Sequence, residues 1–431
     1  NQISGIQLGH YSWFTSMDVD KGGNAWVGTV IDGFYVIDMH NFSVTRTLDI
    51  PLLSGNTVRN GIQSIYCDRE NNSVWIGLYN QGMCYYHPSM NKIVLYNKKM
   101  INGDWKGEEI RCMLETSKGE ILMGTTQGVY RYEPETKSMN RFYHEFSQKN
   151  CRVLYEDSKK RVWVGTYHDG LYCIDHGKVQ SYDYPDTDYQ NELDFSNIRV
   201  MVEDSSGRLW VSIYGGVGLF NPENGQINLL SEQFPELKKY KVANALAIDN
   251  QSRLVVGSDN GLYIYDPATN KIWIPEEDGQ ANSIFNQGSI KYNQILKDHE
   301  GTLWFATQYG LSVLTYNGQS YTLGKEEGLS KAILNVVEDK NHDIWISTVT
   351  SIYKIKVDRR ADKYSFHVIS CLSEDEIRQD DLYSFPSLMT RDNQLFLGLM
   401  NGFIAFSPEN MIDNQCLNRP LFTSFRLFNV P

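Results

Sequence analysis

"RVWVGTYHDGLYCID", residues 161–175, sets a tryptophan between valines, follows it with Gly-Thr, bends through polar residues to a glycine, and returns to an apolar run. Alternation rich in β-branched and aromatic residues predicts two short strands joined by a tight turn. The same plan returns in "VMVEDSSGRLWVSIYGGVGLF" (200–220), "ALAIDNQSRLVVGSDNGLYIYD" (245–266) and "QILKDHEGTLWFATQYGLSVL" (294–314). Aligning on the large apolar residue in the middle of each unit gives nine anchors: Trp26, Trp75, Leu122, Trp163, Trp210, Val255, Trp304, Trp345 and Phe396. They stand 41 to 51 residues apart, and six of the chain's nine tryptophans occupy this one position.

Around the anchor the other positions repeat too. An aspartate precedes it by six residues in Asp20, Asp157, Asp204, Asp249, Asp298 and Asp339; Asp68 is one residue farther away, and Thr116 and Thr390 fill the slot elsewhere. A small residue follows it by two, as in Gly28, Gly77, Gly124, Gly165, Ser212, Gly257, Ala306, Ser347 and Gly398. The aspartates read as turn formers and the small residues as points where sheets approach closely. Each unit holds three clear strands and a weaker fourth, such as "KVQSYDY" (178–184) or "KIVLYNK" (92–98). No segment of useful length carries helical periodicity. Four antiparallel strands every 40–50 residues with one aromatic motif predict an all-β fold of β-propeller blades, stacked face to face so that each sheet buries its apolar faces. The repeats are expected over 9–415, with 416–431 as a linker and the first strand of a further domain.

Composition narrows the function. The 40 basic and 52 acidic residues leave a charge of −12, which argues against a nucleic-acid partner. Seven cysteines without a C-x-x-C pair read as buried free thiols. Neither a H-E-x-x-H, nor a G-x-S-x-G, nor a phosphate-cradling glycine loop is present, and the nine histidines lie scattered without ligand spacing. No catalytic residue, metal or cofactor is expected. No run reaches the ~18 apolar residues of a membrane helix; the chain starts at Asn1, as a processed or excised piece would.

The repeat D-x-x-G-x-[LIV]-W-[VI]-G-T-x-x-x-G-L, with copies "DSSGRLWVSIYGGVGL", "DHEGTLWFATQYGL" and "DKNHDIWISTVTSIY", resembles the two-component regulator propeller repeat. "EEGLSKAILNVVEDKNHDIWIST" (326–348) resembles a late repeat, and "NQLFLGLMNGFIAFSPENM" (393–411) the last repeat, of the periplasmic sensor region of Bacteroidetes hybrid two-component systems. "NRPLFTSFRLFNVP" (418–431) resembles the start of the β-sandwich that follows the propellers in that family. The resemblance implies a periplasmic sensor of an inner-membrane receptor. Such a sensor binds a glycan fragment and signals, as a homodimer, through sandwich and transmembrane helix to a histidine kinase controlling polysaccharide-utilisation genes. Nine units depart from the family's two rings of seven. A seven-blade ring with two blades of a preceding ring, or one larger ring, would both account for them.

Two loop positions on one face of such a ring vary most. Five residues before the turn aspartate, the start of the innermost strand reads Thr15, Gln63, Arg111, Arg152, Arg199, Asn244, Asn293, Leu334 and Phe385. Four residues after the anchor come Tyr79, Tyr167 and Tyr214, with Tyr309 one position farther along its unit and His168 beside Tyr167. Arginine forks grip carboxylates and sulfates, and tyrosine rings stack on sugar faces. Arg111, Arg152, Arg199, Tyr79, Tyr167, His168, Tyr214 and Tyr309 are therefore the expected contacts of an acidic or sulfated oligosaccharide, with Trp105 in the loop before Arg111 as a neighbour. The same arginines could instead pair with Glu108, Glu109 or Asp194. A polysaccharide lyase or glycosidase and a protein-interaction platform are the alternative functions.

Overall fold

The computed structural model describes residues 13–31, 33–47, 61–70, 73–79, 82–86, 94–184, 193–275, 290–329, 331–360, 363–372 and 386–411. The expected sandwich strand at 416–431 lies outside them. The chain is all-β and divides into two compact units, 1–91 with 409–431, and 92–408.

Each repeat is the basis of one sheet, antiparallel except where Asn102–Gly103 joins Ser138–Arg141 in parallel, and among the described residues there are nine. The second repeat of the larger unit is typical: Cys151–Glu156, Val162–Thr166, Leu171–Asp175 and Lys178–Tyr182 pair in that order. Trp163 sits on the second strand, fully buried. It packs with Ile198, Met201 and Val211 of the following sheet and edge-on against Phe220. Burying an aromatic side chain of this size removes ~150–250 Å² from water, which at ~25 cal/mol/Å² stabilises by roughly 4–6 kcal/mol before ordering costs. Sheets meet closely where the small residue falls. A Cβ on Gly165 would stand 2.7 Å from Ile198 Cγ2, and one on Gly257 2.7 Å from Tyr292 Cβ.

The repeated aspartate does more than form a turn. Asp157 Oδ1 accepts the backbone N–H of Lys159 and Arg161, while Oδ2 accepts Trp163 Nε1–H at 2.9 Å and Arg161 Nε–H at 2.7 Å. Asp20, Asp204, Asp298 and Asp339 likewise accept the indole N–H of Trp26, Trp210, Trp304 and Trp345, at 2.8 to 3.0 Å. The six-residue spacing thus places a carboxylate against the one polar atom of a buried tryptophan, which would otherwise be left without a partner at a cost of about 1–3 kcal/mol.

In the larger unit the first strands of seven sheets are Ile110–Glu115, Cys151–Glu156, Asp194–Glu203, Ala243–Ile248, Tyr292–Lys297, Asn335–Glu338 and Ser387–Met389. Each packs against the next, and the last packs against the first. One expectation is corrected here. "KIVLYNK" does not complete its own repeat: Val94–Asn97 pairs antiparallel with Gly402–Phe406 as the fourth strand of the seventh sheet. The chain thereby ties the beginning of the larger unit to its end, and Tyr96 stacks on Phe403 with centroids 4.9 Å apart.

The smaller unit holds a four-stranded sheet, Phe14–Val19 to Val44–Thr47, and a three-stranded one, Ile62–Asp68 to Gly82–Tyr86. Trp26, Phe34, Ile62 and Ile76 fill the space between them. Their other faces carry exposed Trp13, Phe14 and Met17, and exposed Tyr66, Trp75 and Met83. Trp75 thus departs from the buried anchors.

Candidate functional site

The start of the first strand is where the repeat stops being regular. In five successive sheets of the larger unit the ladder between first and second strands slips by one residue. The residue skipped is Arg111 between Ile110 and Cys112, Arg152 between Cys151 and Val153, Arg199 between Ile198 and Val200, then Asn244 and Asn293. A bulged residue leaves the pairing and its side chain is re-aimed. Here the bulge residues converge on one cavity of about 420 Å³, shared also by Glu109, Lys291, Leu334, Asn335 and Ser387. The first strands of all seven sheets contribute to its wall. Its size falls within the ~300–1,000 Å³ of small-molecule sites.

The cavity is cationic in a protein of net negative charge. Arg111 is held by Glu109, with Nη2 2.8 Å from Oε2. Arg199 Nη2–H donates to Asn244 Oδ1 at 3.0 Å, Asn244 Nδ2–H donates to Asp259 Oδ1 at 2.7 Å, and Lys291 Nζ lies 3.3 Å from the same carboxylate. Arg152 makes no ion pair among the described residues; its guanidinium lies over the Tyr167 ring, 4.7 Å from the centroid. The Nε atoms of Arg152 and Arg199 are buried without a hydrogen-bond partner. Burial, and then the neighbouring charges of Arg111 and Arg199, push the Arg152 pKa down; burial does the same to Arg199. Four cations facing two carboxylates leave a site that an anion would balance.

The structure therefore brings Arg111, Arg152 and Arg199 together and joins Tyr167 to them. His168 stands against Tyr167, with ring centroids 3.9 Å apart, and its Nδ1 lies 2.9 Å from the buried carboxylate of Asp194. Tyr214, at the end of its strand, and Tyr309 are both exposed. Tyr79 belongs to the smaller unit, exposed there. The pairing alternative holds for Arg111 with Glu109, while Asp194 takes His168 rather than an arginine. Trp105 is a correction. It is fully buried in the core beside Ile110 and Tyr130, and its indole N–H donates to the Glu108 carbonyl at 3.1 Å. Asn244, Asn293 and Lys291 were missed as site residues, although the first two stand in the same column as the arginines and that column was the signal. Five of the cysteines, Cys67, Cys112, Cys151, Cys173 and Cys371, are buried free thiols as expected.

No protein-family model matches the chain, and no curated protein matches it in sequence. Solved structures do. The extracellular domain of the hybrid two component system BT3049 from B. thetaiotaomicron superposes with a TM-score of 0.67 at 20% identity, over 93% of this chain and 52% of that one. The corresponding domain of BT4673 from the same organism gives 0.57 at 18%, over 92% and 52%. Virginiamycin B lyase from Staphylococcus aureus gives 0.52 at 12%, over 73% of this chain and 98% of the lyase. The chain thus shares the fold of these extracellular sensor domains and spans about half their length.

Proposed function

We propose that this chain is the extracytoplasmic sensing part of a hybrid two-component receptor, and that it binds an acidic or sulfated oligosaccharide in the cavity lined by Arg111, Arg152 and Arg199. One observation carries the reading: Arg152 faces that cavity half-buried, with no counter-ion among the described residues. Tyr167 beneath it offers a ring to a sugar face, and His168 and Tyr214 stand at the rim. Residues 92–408 are on this reading one seven-bladed propeller closed by Val94–Asn97, and the two sheets of the smaller unit are blades of another. The fold of the B. thetaiotaomicron extracellular domains supports the sensor role and a periplasmic setting. A following β-sandwich, a transmembrane helix, a histidine kinase and a homodimeric receptor complete the proposal.

A sensor returns its ligand intact. Isothermal titration of the chain with neutral and acidic oligosaccharides, followed by analysis of the sugars, tests this directly. Saturable binding of one uncut anionic glycan, weakened by Arg152→Ala and by Tyr167→Ala, is expected. Binding indifferent to both substitutions would reject the site, and cleavage of the glycan would reject the sensor in favour of an enzyme.

A further inference from the structure

At the far ends of the same first strands, neighbouring sheets are latched by a glutamate. Glu156 accepts both the backbone N–H and the hydroxyl of Ser117 from the preceding sheet, at 2.7 and 2.8 Å. Glu203 holds Ser158 in the same way, at 2.7 Å for each bond. A serine therefore suffices for the latch. Between the fifth and sixth sheets of the larger unit the arrangement differs. Glu338 accepts the His299 backbone N–H at 2.9 Å, but the serine is replaced by His299, whose Nδ1 meets Glu338 Oε1. A second histidine, His342, sends its own Nδ1 to the same oxygen at 3.0 Å. The two imidazoles stack with centroids 3.5 Å apart and planes inclined by 23°.

His342 sits at φ 64°, at a turn position that Gly207 and Gly301 fill in other sheets and that Lys160, Ser252 and Asn393 also hold in left-handed backbone. Left-handed backbone is unfavourable for a residue with a Cβ. Two imidazole nitrogens and a carboxylate oxygen, all within 4.8 Å of one another and open to solvent on one side, form a donor set of the kind zinc takes. Bonds of ~2.0–2.2 Å in a tetrahedral site need donors about 3.3 Å apart, so small side-chain shifts would seat an ion.

We propose that His299, Glu338 and His342 bind one divalent cation of the zinc class, with the remaining coordination position left to water, so that the ion pins the fifth sheet to the sixth. The site stands apart from the arginine cavity, past the opposite ends of the first strands, and does not depend on the ligand proposed there. Sequence reading took both histidines as scattered residues without ligand spacing; they lie one repeat apart, which puts them on neighbouring sheets.

The test is calorimetric titration of the chelator-treated full chain with zinc chloride. One ion is expected to bind and to raise the Tm. His299→Ser restores the serine–glutamate latch of the other sheets, and His342→Asn suits left-handed backbone, so both variants should keep the metal-free Tm. Each is expected to weaken zinc binding by more than about tenfold, because losing even an outer-shell partner costs 10–100-fold. No saturable uptake by the folded chain, or either variant retaining the parent's affinity, would overturn the proposal.

Discussion

The two ends of one strand obey different rules. At the end of Cys151–Glu156, Asp157 is buried and spends its oxygens on a backbone turn, on Arg161 and on the Trp163 indole. At its start, Arg152 is bulged out of the ladder and makes no ion pair among the described residues, its Nε being left without a partner. The first arrangement recurs in full around Asp204, and around Asp298 the turn N–H groups and the Trp304 indole repeat while Arg359 replaces the arginine four residues on. The second changes from sheet to sheet, arginine in three and asparagine in two, because a bulged residue answers to the cavity instead of to its own sheet. A repeat fold separates stability from recognition in this way: what repeats holds the sheets, and what varies at a fixed position is free to bind.

Substitutions should fall on one side of that division or the other. The largest loss is expected from Trp163→Ala, which empties a fully buried site between two sheets; about 3–5 kcal/mol should be lost in denaturant unfolding. Gly165→Ala forces a methyl against Ile198 and is expected to cost about 1–3 kcal/mol by the same measurement. Arg111→Ala breaks only a partly exposed pair with Glu109 and should change stability by less than about 1 kcal/mol, while weakening an anionic ligand.

A smaller effect sharpens the comparison through pH. Burial alone would raise the Asp204 pKa, but the Trp210 indole, Arg208 and the turn N–H groups outweigh it and hold the carboxyl below its ordinary range. A depressed carboxylate contributes stability that is present above the unfolded value near 3.9 and lost as pH falls through the folded one. Acid unfolding below about pH 4 should therefore be flatter in Asp204→Asn than in the parent chain.

The fold was legible because its signals are local. Asp, Trp and Gly at fixed offsets report a turn, a buried indole and a close approach, and all three lie within one sheet and its neighbour. The pairing of Gly402 with Asn97 was not legible, because it joins the ends of the larger unit and has no local signature. The arginine column was readable as a departure from the repeat, although nothing in the sequence marks it as a bulge. Trp105 was misread since it lies in a loop outside the repeat, where an aromatic residue has no template to compare with. Tyr309 shares its column's neighbourhood but extends into solvent.

The division between the two strand ends is tested most directly by taking Arg152→Ala and Asp157→Asn in the same sheet and measuring, for each, the denaturation midpoint and the affinity for the best-binding anionic oligosaccharide. Arg152→Ala is expected to leave the unfolding free energy within about 0.5 kcal/mol of the parent and to abolish most of the affinity. Asp157→Asn should lower the midpoint and, in the fraction that remains folded, bind as the parent does. An Arg152→Ala chain that binds unchanged, or that unfolds as readily as Asp157→Asn, would contradict the account.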